Sequence, residues 1–154
     1  MSAVTSLKAI QSRWIAEAVN RLASQEPIRE GVRESLDSFY HGLIQAIESG
    51  DARILDPILH VWVAARMRTD LDSNNTSIVP VLDEILQLSI RVCQEELTEH
   101  DALEVLTALI PIQSYMYAVV TRLETQIQVE RLSTDLAAVQ QSSEQIYRSK
   151  SDFI

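Results

Sequence analysis

A single cysteine, Cys93, denies the chain an internal disulfide and fits a reducing compartment. Glycine and proline are scarce, three and four among 154 residues, and aromatic side chains make up only 5%. That shortage disfavours turn-rich β architectures, and the abundance of Leu, Ile, Val, Ala, Glu and Gln points to an all-α protein. Basic residues are outnumbered 13 to 22, giving a net charge of −9, and they are scattered. Phosphate contacts need clustered Lys and Arg, so no nucleic-acid partner is expected. No uninterrupted apolar run of about 18 residues exists, and Met1 to Ile15 lacks the basic start and apolar segment of a signal peptide. The expectation is a cytoplasmic protein with no membrane span. No paired Cys or His spacing suggests zinc, no glycine-rich loop suggests a nucleotide, and no nucleophile–base arrangement can be assembled. Catalytic, cofactor-binding and metal-binding residues are therefore expected to be none.

What is present is helical periodicity. Val4, Leu7, Ile10, Trp14, Ile15, Ala18 and Leu22 mark an amphipathic helix over residues 3–23. Ser24 before Gln25-Glu26-Pro27 predicts the cap of a second, bearing Ile28, Val32, Leu36, Phe39, Tyr40, Leu43, Ile44 and Ile47 and stopped by Gly50. A third begins at Ala52, restarts at Asp56-Pro57 and reads P-I-L-H-V-W-V-A-A, apolar nearly all round, which predicts burial in the middle of the domain. Thr76 or Ser77 is expected to cap a fourth, over residues 78–97, with the stripe Val81, Leu82, Ile85, Leu88 and Val92 and Ser89 as a polar interruption. Thr98-Glu-His-Asp101 is a capping-box variant that opens a fifth, and Pro111 predicts a kink or break in it. Beyond Pro111 the stripe Met116, Val120, Leu123 and Ile127 packs on the domain, and then the register shifts.

From Val129 onward, Val129, Leu132, Leu136, Val139, Ser143, Ile146, Lys150 and Phe153 follow an alternating spacing of three and four, the a/d pattern of a two-stranded coiled coil. A helix with one narrow apolar seam cannot bury it alone, so a homodimer through this helix is expected. Val129 to Phe153 would extend about 37 Å at about 1.5 Å per residue, the reach of a connector. The spacing divides the chain into a sensory domain, 1–127, and a signalling helix, 128–154. Ser143 and Lys150 weaken the seam locally, which suits a bistable transmission element.

The closing stretch, Tyr147-Arg-Ser-Lys150-Ser-Asp-Phe-Ile154, resembles the segment that leads into the dimerisation and phosphotransfer domain of sensor histidine kinases. The resemblance rests on about five residues plus the heptads before them. It implies a cytoplasmic signal-input domain of a two-component kinase, with catalysis in a module absent from this chain. A second resemblance lies in Ala64-Ala-Arg-Met-Arg-Thr-Asp-Leu-Asp72 and Ile78-Val-Pro-Val-Leu-Asp-Glu-Ile85, which are similar to the helix end, loop and helix start of the N-terminal domain of RsbR-type stress regulators. It spans about 110 residues diffusely and implies a globin-like fold without haem. The Asp-Ser-Asn-Asn-Thr loop departs from that pattern in looking longer and more polar. A bundle packing fits the same helices, and a protein-interaction scaffold with no small-molecule ligand is the alternative function.

The remaining candidates are side chains. Trp14, Phe39, Tyr40, His60, Trp62 and Tyr115, with Tyr117, hold the large or polar-tipped groups that could line a pocket for a small apolar ligand, and they serve equally as ordinary core. His60 reads as a core histidine bonded to Asp56 or a carbonyl, His41 as a surface partner of Asp37, and His100 as solvated. The fourth helix contains no histidine, so no haem is expected. Cys93 reads as an inert half-buried thiol. Asp70-Leu-Asp72-Ser-Asn74-Asn75 imitates a calcium loop but has Asn75 where glycine and Val81 where glutamate are needed.

Overall fold

Apolar residues three and four apart give each segment one greasy face, and the chain buries those faces by folding into helices. The computed structural model describes residues 2–23, 26–69 and 77–151. It contains α1 (Ala3–Leu22), α2 (Glu26–Ser49), a 3-10 turn (Ala52–Leu55), α3 (Asp56–Thr69), α4 (Val79–Glu96) and α5 (Glu99–Ser151). Among the described residues there is no strand, and the fold is an all-α helical bundle. The chain divides into two compact units, Met1–Thr121 and Arg122–Ile154.

In the first unit α1 packs against both α2 and α4. Its face of Leu7, Ile10, Trp14 and Ala18 meets a core supplied by Leu36, Phe39, Tyr40 and Leu43 of α2 and by Leu82, Ile85, Leu88 and Val92 of α4, all buried. Above this core Arg13 pairs with Glu17, Glu95 and Glu96, and Arg91 with Glu17. These pairs are partly exposed, so they orient α1 on α4 more than they stabilise it.

Helix ends follow local chemistry. The Ser2 hydroxyl accepts from the Thr5 amide at 3.2 Å and caps α1. Gly50 ends α2 with φ at +70°, a conformation that costs other residues a Cβ clash. Gly42 lets the 3-10 turn approach α2, since a Cβ there would lie 2.9 Å from Leu55 Cδ2. Thr98 Oγ1 accepts from the Asp101 amide at 3.2 Å, as the capping-box spacing predicts. At α4 the expectation is corrected: the cap position is Ile78 with no side-chain bond, while the Ser77 hydroxyl accepts from Val79 N at 3.1 Å as a local turn. Asp56 is likewise no extended cap. It continues in helical geometry from the 3-10 turn into α3.

Two further expectations need correction. α3 is not buried on several sides: Leu59 and Val63, one turn apart, lie in the core, whereas Val61 is 63% exposed and Pro57, His60 and Ala65 are also exposed. It packs against α2 and the 3-10 turn. Of the kink or break expected at Pro111, the break is absent, since the fifth helix runs continuously from Glu99 to Ser151. The amide it lacks would have bonded the carbonyl of Thr107. Both residues are exposed, so water can satisfy that carbonyl, and the proline ring faces a small hollow beside Ala108 and Ala52.

Glu99–Ser149 contains an 18-residue window of mean hydropathy 1.4, long and apolar enough by those measures to cross a membrane. Within the first unit its residues Val105, Leu109, Ile112, Met116, Val119 and Val120 are buried, while Leu103 and Ile110 are exposed.

The second unit is the C-terminal part of α5. Leu123 is buried and Ile127 half-buried, and from Val129 onward the apolar residues are exposed.

Candidate functional site

Four helix ends converge on a cavity of about 520 Å³ in the first unit. The last turn of α1 supplies Leu22, the start of α2 supplies Gly31, Val32, Ser35 and Leu36, the second half of α3 supplies Trp62, Ala65 and Arg66, and the entry to α4 supplies Ile78 and Val81. Each set obeys helical spacing: 31/32 with 35/36, 62 with 65/66, and 78 with 81. The volume is in the range of about 300–1,000 Å³ in which small-molecule sites fall. Among the described lining residues, only Ser35 and Arg66 carry polar side chains besides the indole of Trp62.

Of the residues expected to form a pocket, Trp62 alone lines this cavity. Trp14, Phe39 and Tyr40 are fully buried core behind it. Trp14 and Phe39 stack with centroids 6.2 Å apart, Trp14 and Tyr40 lie at 5.0 Å, and Phe39 meets Trp62 at 5.1 Å, so an aromatic row connects the centre of the bundle to the cavity wall. Their polar tips are satisfied inside the protein. Trp14 Nε1 donates to Ser89 Oγ at 2.9 Å, Ser89 Oγ donates to the Ile85 carbonyl at 2.7 Å, and Tyr40 Oη donates to the Leu7 carbonyl. Burial pushes the Tyr40 phenol well above its ordinary value, with the Cys93 sulfur adding to the rise.

His60 is exposed, not a core residue as expected, although its Nδ1 does donate to the Asp56 carbonyl at 2.7 Å. His41 lies 3.3 Å from Gln45 Nε2 rather than bonding Asp37, and His100 is exposed with its Nε2 3.3 Å from Glu104. Cys93 is fully buried, more than expected, and burial raises its thiol to about 11. The calcium-like segment Asp70–Asn75 lies outside the described residues, among which no group of three or more His, Cys, Asp or Glu is placed to hold a metal ion.

Three side chains of α5 bond two of the four helices that wall the cavity, α3 and α4. Gln113 Nε2, buried, donates to the Leu82 carbonyl at 3.0 Å. Tyr115 Oη donates to Asp56 Oδ1 at 2.7 Å, and Tyr117 Oη donates to Asp83 Oδ1. Desolvation raises the Tyr117 phenol, and its bond to the Asp83 carboxylate raises it further. Asp56 opens α3, which carries Trp62 and Arg66. Leu82 and Asp83 directly follow Val81. These bonds connect α5 to the start of α3 and to the first turn of α4. Gln113 escaped the sequence reading, though a lone amide within the buried run Leu109, Ile112 and Met116 is the signal that could have found it.

In the second unit Val129, Leu132, Leu136, Val139 and Ile146 are between 55% and 68% exposed, and Ser143 is exposed among them. Phe153 and the side chain of Lys150 lie outside the described residues. These apolar side chains lie on one face of an otherwise polar helix, with Ser143 interrupting the row.

Comparison of the chain with protein-family models, with curated proteins and with solved structures gives no match.

Proposed function

We propose that the chain is the signal-input domain of a cytoplasmic two-component histidine kinase, that it pairs with a second copy through the C-terminal part of α5, and that it relays a change in the cavity along that helix. The carrying observation is the exposed row Val129, Leu132, Leu136, Val139 and Ile146 at three-four spacing. Each of these residues gains on the order of 1 kcal/mol when its exposed part is covered. A seam of five in each copy is then enough to offset the lower part of the association cost of about 4–15 kcal/mol, which gives a weak and adjustable dimer.

The bonds of Gln113, Tyr115 and Tyr117 support the relay, because they tie the cavity walls to the helix that carries the seam. The kinase assignment is supported by the resemblance of residues 147–154 to the leader of a phosphotransfer domain, and the cytoplasmic setting by the lone, buried Cys93. The similarity to RsbR-type domains makes a haem-free, globin-like arrangement part of the same proposal. A visible absorption band in freshly purified protein would contradict that part.

Light scattering at micromolar concentration tests the dimer: the full chain should be dimeric, and the chain ended at Ile127 should be less so. Monomers in both cases would remove the basis for transmission.

A scaffold function, in which the surface of the first unit binds another protein, is favoured by the exposure of Val61, Leu103 and Ile110. Native mass spectrometry of protein from its own host separates the readings, since a retained small ligand supports sensing and a retained protein supports a scaffold.

A further inference from the structure

We propose that the first unit carries a contact of its own for a second copy of this chain, on the outward face of α5 from Leu103 to Thr121. Leu103, Thr107, Ile110, Ser114, Ala118 and Thr121 follow one another at steps of three and four, and all are exposed, Leu103 to 65% and Ile110 to 60%. Steps of that size keep them on one side of the helix. The other side, with Val105, Leu109, Ile112, Met116 and Val120, is buried in the core. What sets the outward face apart is its lack of charge. From Val105 to Thr121 no residue is charged, in a chain of which 23% is. Glu104, beside the first turn of the face, is half-buried, with its carboxylate 3.3 Å from His100 Nε2. The exposed faces of the other long helices differ: α1 bears Lys8 and Arg13, α2 bears Arg33 and Asp37, and α4 bears Glu84 and Glu95.

An uncharged face on a chain of net charge −9 fits a second copy of that chain. In a two-fold contact each patch meets itself, so a charge near the axis faces its own like, and a face free of charge escapes that repulsion. A foreign partner imposes no such condition. A lipid surface is met by basic residues, and this face has none. The hydroxyls of Thr107, Ser114 and Thr121 need no partner across the contact, because each can turn onto the carbonyl four residues back in its own helix. Leu103 and Ile110 supply apolar area, and the small side chains between and beyond them let a second helix come close. The row in the second unit offers five large apolar residues a copy, short of the about 20–30 residues a side in a standard interface. A face on the first unit adds area that the row lacks. This contact shares the second copy with the reading above but not its seam, so each can fail alone.

Sedimentation velocity of the full chain across a concentration series gives the dimer Kd. Ile110→Glu, at an exposed position, should raise that Kd at least tenfold, equivalent to about 1.4 kcal/mol, and leave the helical circular dichroism unchanged. Ile110→Lys should do the same. An equimolar mixture of the two variants should regain a dimer holding one copy of each, which a defect in folding would not produce. Gln94→Glu, which adds the same charge on the exposed face of α4, should leave Kd unchanged. An unchanged Kd in Ile110→Glu, or no recovery in the mixture, overturns the proposal. Leu136→Glu separates this contact from the seam. If Leu136→Glu leaves a dimer that Ile110→Glu dissolves, the face stands and the seam falls; if Leu136→Glu dissolves the dimer and Ile110→Glu does not, the face falls and the seam stands. A monomeric wild-type chain that binds phosphatidylcholine vesicles, and loses that binding in Ile110→Glu, would overturn the proposal by making a membrane the occupant.

Discussion

Ser89→Ala removes one oxygen, and its effect should exceed what a serine on a helix suggests. Ser89 Oγ is the acceptor for Trp14 Nε1, and Trp14 is only 1% exposed, so the substitution leaves a buried N–H with neither a protein partner nor access to bulk water. A buried donor left unsatisfied costs about 1–3 kcal/mol. Alanine returns about 0.5 kcal/mol through its better helix propensity. The lost bond from Ser89 to the Ile85 carbonyl costs little, because that carbonyl retains its place in the helix. The net destabilisation is about 1–2 kcal/mol, a fall in Tm of roughly 3–8 °C for a domain of this size. Thermal unfolding followed by circular dichroism measures it. A double-mutant cycle isolates the cause, since in a Trp14→Phe background, where no N–H needs an acceptor, Ser89→Ala should cost nothing. Because Trp14, Phe39 and Trp62 form one aromatic row, the single variant should also alter Trp62 emission. A Ser89→Ala variant with unchanged or higher Tm would refute the reasoning.

Other outcomes follow from the same contacts. Cys93 has a folded-state value of about 11 against an ordinary 9.0, so above pH 9 the unfolded chain sheds a proton that the folded chain keeps, and stability should fall as pH rises from about 9 to about 11; the buried Tyr40 acts in the same direction. Urea titrations across that range test the sign, and a rise in stability would contradict it. Thiol reagents should modify the folded protein far more slowly than the unfolded chain. The Ser6 hydroxyl is buried with no hydrogen-bond partner among the described residues, so Ser6→Ala should raise stability by about 1 kcal/mol, and a loss would show that the hydroxyl is satisfied. Tyr115→Phe deletes the bond to Asp56 and should cost about 0.5–1.5 kcal/mol, leave the dimer intact and weaken any response of α5 to cavity occupancy. An undiminished response would take Tyr115 out of the relay.

Periodicity made the helices legible, because an apolar residue every third or fourth position has only a helix in which to share one face. Thr98 and Gly50 were legible for the same local reason: cap geometry involves residues within one turn. Pro111 and the third segment misled for the opposite reason. Whether a proline interrupts a helix depends on whether water reaches the carbonyl it leaves, and whether an all-apolar helix is buried depends on how many neighbours surround it. Both are set by packing that sequence spacing does not encode. The cavity was illegible because its lining comes from helix ends, where stripe residues such as Val32 and Val81 are only half-buried. The large aromatics suit the centre of the core by their size, and of Trp14, Phe39, Tyr40 and Trp62 only Trp62 lines the cavity.

The central claim is that two copies of α5 pair along the row from Val129 to Ile146, and a cysteine scan tests it most directly. In a Cys93→Ala background, single cysteines are placed in turn from Gln128 to Tyr147, and disulfide-linked dimer is measured after mild oxidation. The account predicts maxima at 129, 132, 136, 139, 143 and 146, with minima at the positions between them. Uniform cross-linking, or maxima displaced to another face of the helix, would contradict it.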